Sequence, residues 1–220
     1  VTPGVGPAKL VDAADAGSEL CLGGQLDPAA VSGAIGLCKR GTNARVEKSA
    51  AVDQAGGIGM VLYNAVSPQD VDTDNHLVPS THVDLEDGLE IKDYIDSAGS
   101  GATATLSAGS ATGQPAPDMA AFSSRGPKGA AGDVIKPDVT APGVVVLAGA
   151  SPTPLLGAPG QLFQAISGTS MSSPHTAGVG ALLAQLHPEW TPAMIKSALM
   201  TTGDQDVFKE DGTTPADPFD

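Results

Sequence analysis

Aromatic side chains are scarce. One Trp, two Tyr and four Phe make up 3% of the 220 residues, so packing rests on Ala, Val, Leu and Ile. Positive charge is scarce too: 11 Lys and Arg stand against 25 Asp and Glu, a net charge of −14. That balance argues against nucleic acid or an anionic membrane as partner. No apolar run approaches the ~20 residues of a membrane span, and no secretory leader is visible. The only cysteines are Cys21 and Cys38. They permit one intrachain pair or two separate thiols, and both readings stand on the residues alone. No Cys-x-x-Cys points to a metal or redox centre. What is plentiful is turn-forming residue, with 28 Gly and 18 Pro, beside 41% hydrophobic residues, enough for a core. The chain opens on Val1 without a methionine, which predicts a processed product or an excised piece.

The first half reads as alternating strands and helices. Ala8–Val11 predicts a strand, Asp27-Pro28 a turn and Ala34–Cys38 a second strand. Over 43–55, Val46, Ala50 and Ala55 recur near helical spacing, with Lys48 and Asp53 facing elsewhere. Gly56-Gly57 then stops the helix. Ile58–Tyr63 predicts a buried strand, parallel to the previous one. The Gly56-Gly57-Ile58-Gly59 run is no phosphate loop, because it follows a helix and precedes a strand. Asp70, Asp72 and Asp74 predict a solvated acidic loop, with a weak surface calcium site as the lesser alternative. An EF-hand fails because Asn75 stands where Gly and Thr81 where Glu is needed. His76 and His82, six apart, suit no standard zinc pair. Leu77–Val83 predicts a strand. Asp84 caps a helix over 85–97, with Leu89, Ile91 and Ile95 as core candidates. Ala102–Leu106 is a final strand.

In the second half, Gly113–Pro117 is a Pro/Gly junction. Ala141-Pro142-Gly143 predicts a bend before a strand over Val144–Leu147, and Pro152–Pro159 a surface loop. Thr191-Pro192 opens a helix that Gly203 ends. The polar tail from Asp204 is expected to be loosely held. Between them lies Ser167-Gly168-Thr169-Ser170-Met171-Ser172-Ser173-Pro174-His175. An apolar run leads in and a small-residue run leads out, the pattern of a strand, a tight turn and a buried helix. Ser170 then sits near a helix N-terminus, where unpaired N–H groups and the dipole favour an anion. Pro174 fits a first turn, which needs no N–H at that point. A serine-rich cap and an activated nucleophile are both consistent with this spacing. The sequence is not a G-x-S-x-G elbow.

Gly-Thr-Ser-Met-Ser-Ser-Pro-His resembles the nucleophile motif of subtilisin-like serine proteases at nearly every position. Ala120–Pro127 and Ile135–Val144 are similar to scaffold segments ahead of it. Leu26-Asp27-Pro28, Leu37–Gly41, Ala44-Arg45-Val46, Ala55–Met60 and Ile91–Ile95 resemble the protease-associated (PA) domain inserted in many subtilases, closest to the plant arrangement. The resemblance implies an α/β fold. A β-rich PA domain with flanking helices spans 1–112. The C-terminal part of a three-layer parallel subtilisin-like domain spans 113–220. It implies Ser170 as acyl-transfer nucleophile, with its own N–H on the oxyanion, and Ser167, Gly168 and Thr169 at the border of the substrate cleft. It implies a Cys21–Cys38 disulfide, a polypeptide substrate and a secreted location; no cofactor and no metal are expected.

A serine protease also needs a base, an acid that orients it, and oxyanion donors. Ahead of Ser170 the only histidines are His76 and His82, neither in a His-Gly-Thr context, and no Asp-Thr-Gly occurs. His175 lies about 140° round a helix from Ser170. Asn43, Asn64 and Asn75 all fall in the PA-like half. Asp138 matches scaffold, not the triad acid. The expectation is a fragment of a subtilase. It is inactive alone, partnered in the parent by the missing N-terminal half of the catalytic domain, and prone to self-association through exposed edges. The alternative is a non-catalytic PA-domain binding module. A third reading is an unrelated hydrolase with His76 or His82 acting on Ser170.

Overall fold

The computed structural model describes residues 3–110, 117–126, 136–155 and 159–217. Most of the Gly113–Pro117 junction, Pro127, Ile135 and residues 156–158 of the proline-rich loop lie outside the described residues. The chain divides into two compact units, Val1–Thr112 with Leu147–Ala165, and Gly113–Val146 with Ile166–Asp220.

The first unit is built on strands β1 (Val5–Asp12), β2 (Ile35–Lys39), β3 (Gly59–Tyr63), β4 (Ser80–Val83) and β5 (Thr103–Leu106). Their order is β4-β3-β2-β1-β5. The first four are parallel, with Leu37 opposite Val61, and β5 closes the far edge antiparallel to β1. β2 and β3 are buried along nearly their whole length, as central parallel strands must be. Their side chains alternate between two cores. Cys38, Met60 and Leu62 join Val31, Ala51 and Val52 on one face. Ile35, Leu37, Val61 and Tyr63 join Ile95 on the other.

Helix α1 (Pro28–Val31) is a single turn capped by the Asp27 carboxylate. α2 (Arg45–Gln54) starts where the Glu47 carboxylate accepts the Ala44 N–H at 2.9 Å, and ends where Gly56 turns left-handed at φ 79°. α3 (Leu85–Ala98) is capped by Asp84, which accepts the Asp87 N–H at 2.8 Å. Gly88, Ile91, Ile95 and Ala98 form its inner stripe. Leu89 is exposed, contrary to the core assignment, because the α3 contact with Tyr63 is made at Gly88 and the next residue turns outward. On the free edge of β5, the Tyr94 hydroxyl accepts the Thr103 N–H at 3.1 Å and donates to the Thr103 C=O at 3.2 Å.

Cys21 and Cys38 form a disulfide, both residues buried. Closing a loop of this size contributes ~3 kcal/mol through the unfolded state. Lys48, expected to face away from the core, is fully buried. α2 turns it toward the segment before Cys21, where its Nζ donates to Leu20 O (2.7 Å) and Asn43 Oδ1 (2.5 Å). Burial pushes its ammonium down to about 8, an effect partly offset by the Glu47 charge. The unfolded chain, at 10.5, then holds more protons than the folded one between those values. Stability should therefore rise with pH from about 8 to 10.5 and be flat in this respect below 8. Urea unfolding of Lys48→Met, compared with the parent at both ends of that window, should lack this rise.

The acidic loop is not solvated at Asp72 and Asp74. Asp72 Oδ2 pairs with Arg40 (3.2 Å) and Arg45 (3.0 Å), and Asp74 takes the Arg45 Nε at 2.5 Å. Two arginines, one just after β2 and one opening α2, thus neutralise the carboxylates. Among the described residues no cluster of three or more metal-ligating side chains occurs.

β6 (Val146–Gly149) and β7 (Phe163–Ile166) form a two-stranded sheet. In the second unit, α4 (Thr169–Leu186) and α5 (Pro192–Thr202) follow, α5 capped by the Thr191 hydroxyl. β6 starts two residues later than the sequence predicts, because Val145 has φ 50° and breaks the extended run. The expected buried helix is present as α4, yet none of its 18 residues is buried. Among the described residues the tail is tied down by backbone bonds. Phe208 N–H donates to Pro117 O at 3.0 Å, Phe208 O accepts the Met119 N–H at 2.8 Å, and Ala216 N–H donates to Val207 O at 2.8 Å. No helix of the described residues is long and apolar enough to cross a membrane.

Candidate active site at the start of α4

β7 runs into Ser167, and Gly168 caps α4, so Ser170 is the second helical residue. The Met171 N–H closes the first turn on Gly168 O at 2.9 Å. The N–H groups of Thr169 and Ser170 have no acceptor inside the helix. The Ser170 side chain is exposed and makes no hydrogen bond among the described residues. The positive end of an 18-residue helix, with its unsatisfied N–H donors, stabilises an oxyanion formed beside this hydroxyl.

Two bonds fasten the turn to the Ala141-Pro142-Gly143 bend and the residues just after it. Gly168 N–H donates to Gly143 O at 2.8 Å, and Val145 N–H donates to Ser167 Oγ at 2.9 Å. Gly143 is required by close approach. A Cβ there would overlap Ser172 Oγ and lie 2.9 Å from Gly168 O. Gly143→Ala should lower the stability of the second unit by about 2 kcal/mol, read as a shifted urea midpoint. Adding Ser172→Ala should recover only part, since the Gly168 carbonyl still stands in the way. Neither Gly143 nor Val145 is singled out as functional by the sequence; the Pro-Gly bend is the one signal that could have pointed there.

Pro174 is the sixth residue of α4, not part of its first turn. It withholds the N–H that would bond the carbonyl four residues back, which is that of Ser170 itself. His175 bonds Met171 O through Nδ1 at 2.9 Å, on its own helix backbone. His76 Nδ1 pairs with Ser49 Oγ at 3.1 Å. His82 Nδ1 accepts the Asp72 N–H at 2.8 Å, so its Nε2–H donates to Asn64 Oδ1 at 2.9 Å. Burial lowers the pKa of both, favouring neutral rings. None of these bonds reaches Ser170. The asparagines are likewise committed: Asn43 to Lys48, Asn64 to His82, and Asn75 Nδ2 to Phe163 O at 2.9 Å. Asp138 pairs with Lys136 and with Lys196 (2.7 Å). Its carboxyl is held below the usual range by the bond to Lys136 and then that to Lys196.

A sequence model of the subtilase family (peptidase S8) matches residues 81–216, and one of the PA domain matches residues 6–91. The subtilisin-like protease SBT1.4 of Arabidopsis thaliana is 49% identical over 202 residues, covering 88% of this chain and 26% of that protein. SBT1.7 of the same plant is 45% identical over 190 residues, 83% of this chain and 25% of its own length. SBT1.3 is 43% identical over 217 residues, 92% and 28%. The chain spans about a quarter of the length of the curated relatives it matches.

Proposed function

Because the chain belongs to the subtilase family and carries a PA domain, we propose that Ser170 is the acyl-transfer nucleophile of a serine endopeptidase acting on polypeptides. The observation that carries this reading is the exposed Ser170 hydroxyl in the first turn of α4, which makes no hydrogen bond among the described residues. Ser170 attacks the scissile carbonyl, and its own N–H helps hold the oxyanion. Ser167, Gly168 and Thr169 border the cleft. Residues 1–112 form the PA domain and 113–220 the C-terminal part of the catalytic domain.

The acid, the base and the oxyanion asparagine come from a part of the protease outside these 220 residues. The exposed apolar residues of α4 support this: Val179, Leu182 and Leu186 stand open to solvent, and no α4 residue is buried. The buried disulfide supports an oxidising, secreted location. The alternative, a PA-domain binding module, draws on one observation: the buried apolar core lies almost entirely between Leu10 and Ala102.

Two measurements on the chain test the reading. Hydrolysis of a peptide ester should not differ between the chain and Ser170→Ala, because no base serves the hydroxyl. Ser170→Cys introduces a free thiol into a chain whose own cysteines are paired. At neutral pH it should be alkylated about fivefold faster than the thiol of Ser173→Cys, since a helix N-terminus lowers a thiol pKa. Equal rates would remove the electrostatic basis of the assignment.

A further inference from the structure

Val145 is a β-branched residue at φ 50°, a left-handed conformation such side chains avoid. Strain of this kind persists only where surrounding bonds over-determine it, and it clusters at working sites. Here the ties lie on both sides of the bend: the Val145 N–H donates to Ser167 Oγ at 2.9 Å, and Gly143 is bonded to Gly168. The first bond replaces a backbone pairing with a side-chain one. It lets the chain leave the β7 line at Ser167 while staying tied to the segment opposite. Two residues away, Gly143 O takes the Gly168 N–H at 2.8 Å, and Gly168 O in turn takes the Met171 N–H at 2.9 Å. Ser170 therefore lies between two residues whose backbone is anchored, and the anchor begins at Val145.

We infer that Ser167 is a positioning residue: its hydroxyl holds Val145 in the left-handed conformation and thereby sets the turn that presents Ser170 at the helix N-terminus. The inference rests on the nucleophile reading above. If Val145 relaxed to an extended conformation, its N–H would turn from Ser167. The Gly143–Gly168 bond would shift with it, and residue 170 would move relative to the helix donors.

The test uses the full chain carrying Ser170→Cys. In that background Ser167→Thr keeps the hydroxyl and Ser167→Val replaces it by a methyl group of the same shape. With Ser167→Val, alkylation of the introduced thiol by iodoacetamide should slow about fivefold, to the rate measured for Ser173→Cys, with its half-maximal pH moved upward. Exchange of the Val145 amide should speed up at least about tenfold, as expected for a lost hydrogen bond. Ser167→Thr should retain the parent rate and protection. Val145→Gly combined with Ser167→Val should restore part of the alkylation rate, since glycine adopts the left-handed conformation without steric strain. Threonine and valine variants that behave alike would overturn the inference, as would an unprotected Val145 amide in the parent. If Ser167→Val fails to fold, the smaller Ser167→Ala carries the same comparison. A thiol in Ser170→Cys no faster than that in Ser173→Cys, with the Val145 amide still protected, would sink the nucleophile reading instead and leave the Ser167–Val145 bond standing.

Discussion

In a complete protease containing this segment, Ser170→Ala will lower kcat for a peptide ester by about 10⁶-fold and leave KM within about threefold, the pattern of a lost covalent step. That factor corresponds to about 8 kcal/mol of transition-state stabilisation. The size follows from what remains without the hydroxyl. The helix N–H groups still polarise a bound carbonyl, and binding still orients it, but only water is left to attack. Removing an oxyanion donor instead costs about 10²–10³ in kcat. A Ser170→Ala variant that lost only about a hundredfold would therefore show Ser170 helping to hold an oxyanion that another group creates. Active-site titration with an acylating reagent supplies the second check: no burst is expected from the variant.

Gly88→Ala should destabilise the PA domain by about 3 kcal/mol, lowering its melting temperature by roughly 10–20 °C for a domain of this size. In an exposed helix the same change would be favourable, since alanine outranks glycine by about 1 kcal/mol. Here α3 lies directly on Tyr63, whose side chain is almost wholly buried at the end of β3. An added Cβ would overlap the Tyr63 Cβ and stand 2.5 Å from its Cγ and 2.6 Å from its Cδ2. Those atoms sit next to the backbone of a central strand and cannot swing aside. Either α3 lifts, opening the contacts of Ile91 and Ile95, or the strand bends. Differential scanning calorimetry of the chain decides it. A variant as stable as the parent would mean that α3 slides on the sheet without penalty.

The strands were readable because parallel β2 and β3 are buried on both faces, which leaves unbroken apolar runs between glycines. Helix ends at Asp84, Thr191 and Gly56 were readable because capping is local chemistry. Other features depend on partners far along the chain. A lysine in a helix carries no mark that Leu20 and Asn43 will enclose it, so Lys48 reads as surface. Leu89 reads as core and is exposed, because only the position of Tyr63 says which side of α3 meets the sheet. The arginines that neutralise Asp72 and Asp74 come from a different part of the sequence, around β2 and α2. At the candidate site the serine was legible and its support was not. A positive φ at Val145 and a hydroxyl accepting its N–H leave no pattern in side-chain hydropathy. The tail followed the same rule, since its ladder to Pro117 and Met119 is made of backbone groups alone.

The single hydroxyl on Tyr94 has a consequence for how the PA domain behaves in a crowd. Strand β5 ends the sheet, and an edge strand offers its outward N–H and C=O groups to any passing chain. At Thr103 both groups are already occupied by that one oxygen. The protection is chemical, not steric, and it lies in an atom that a phosphate or sulfate ester would take over. An ester on that oxygen can still accept a hydrogen bond but no longer donates one. The carbonyl of Thr103 would then lose its donor, and the outward side of β5 would carry one open acceptor.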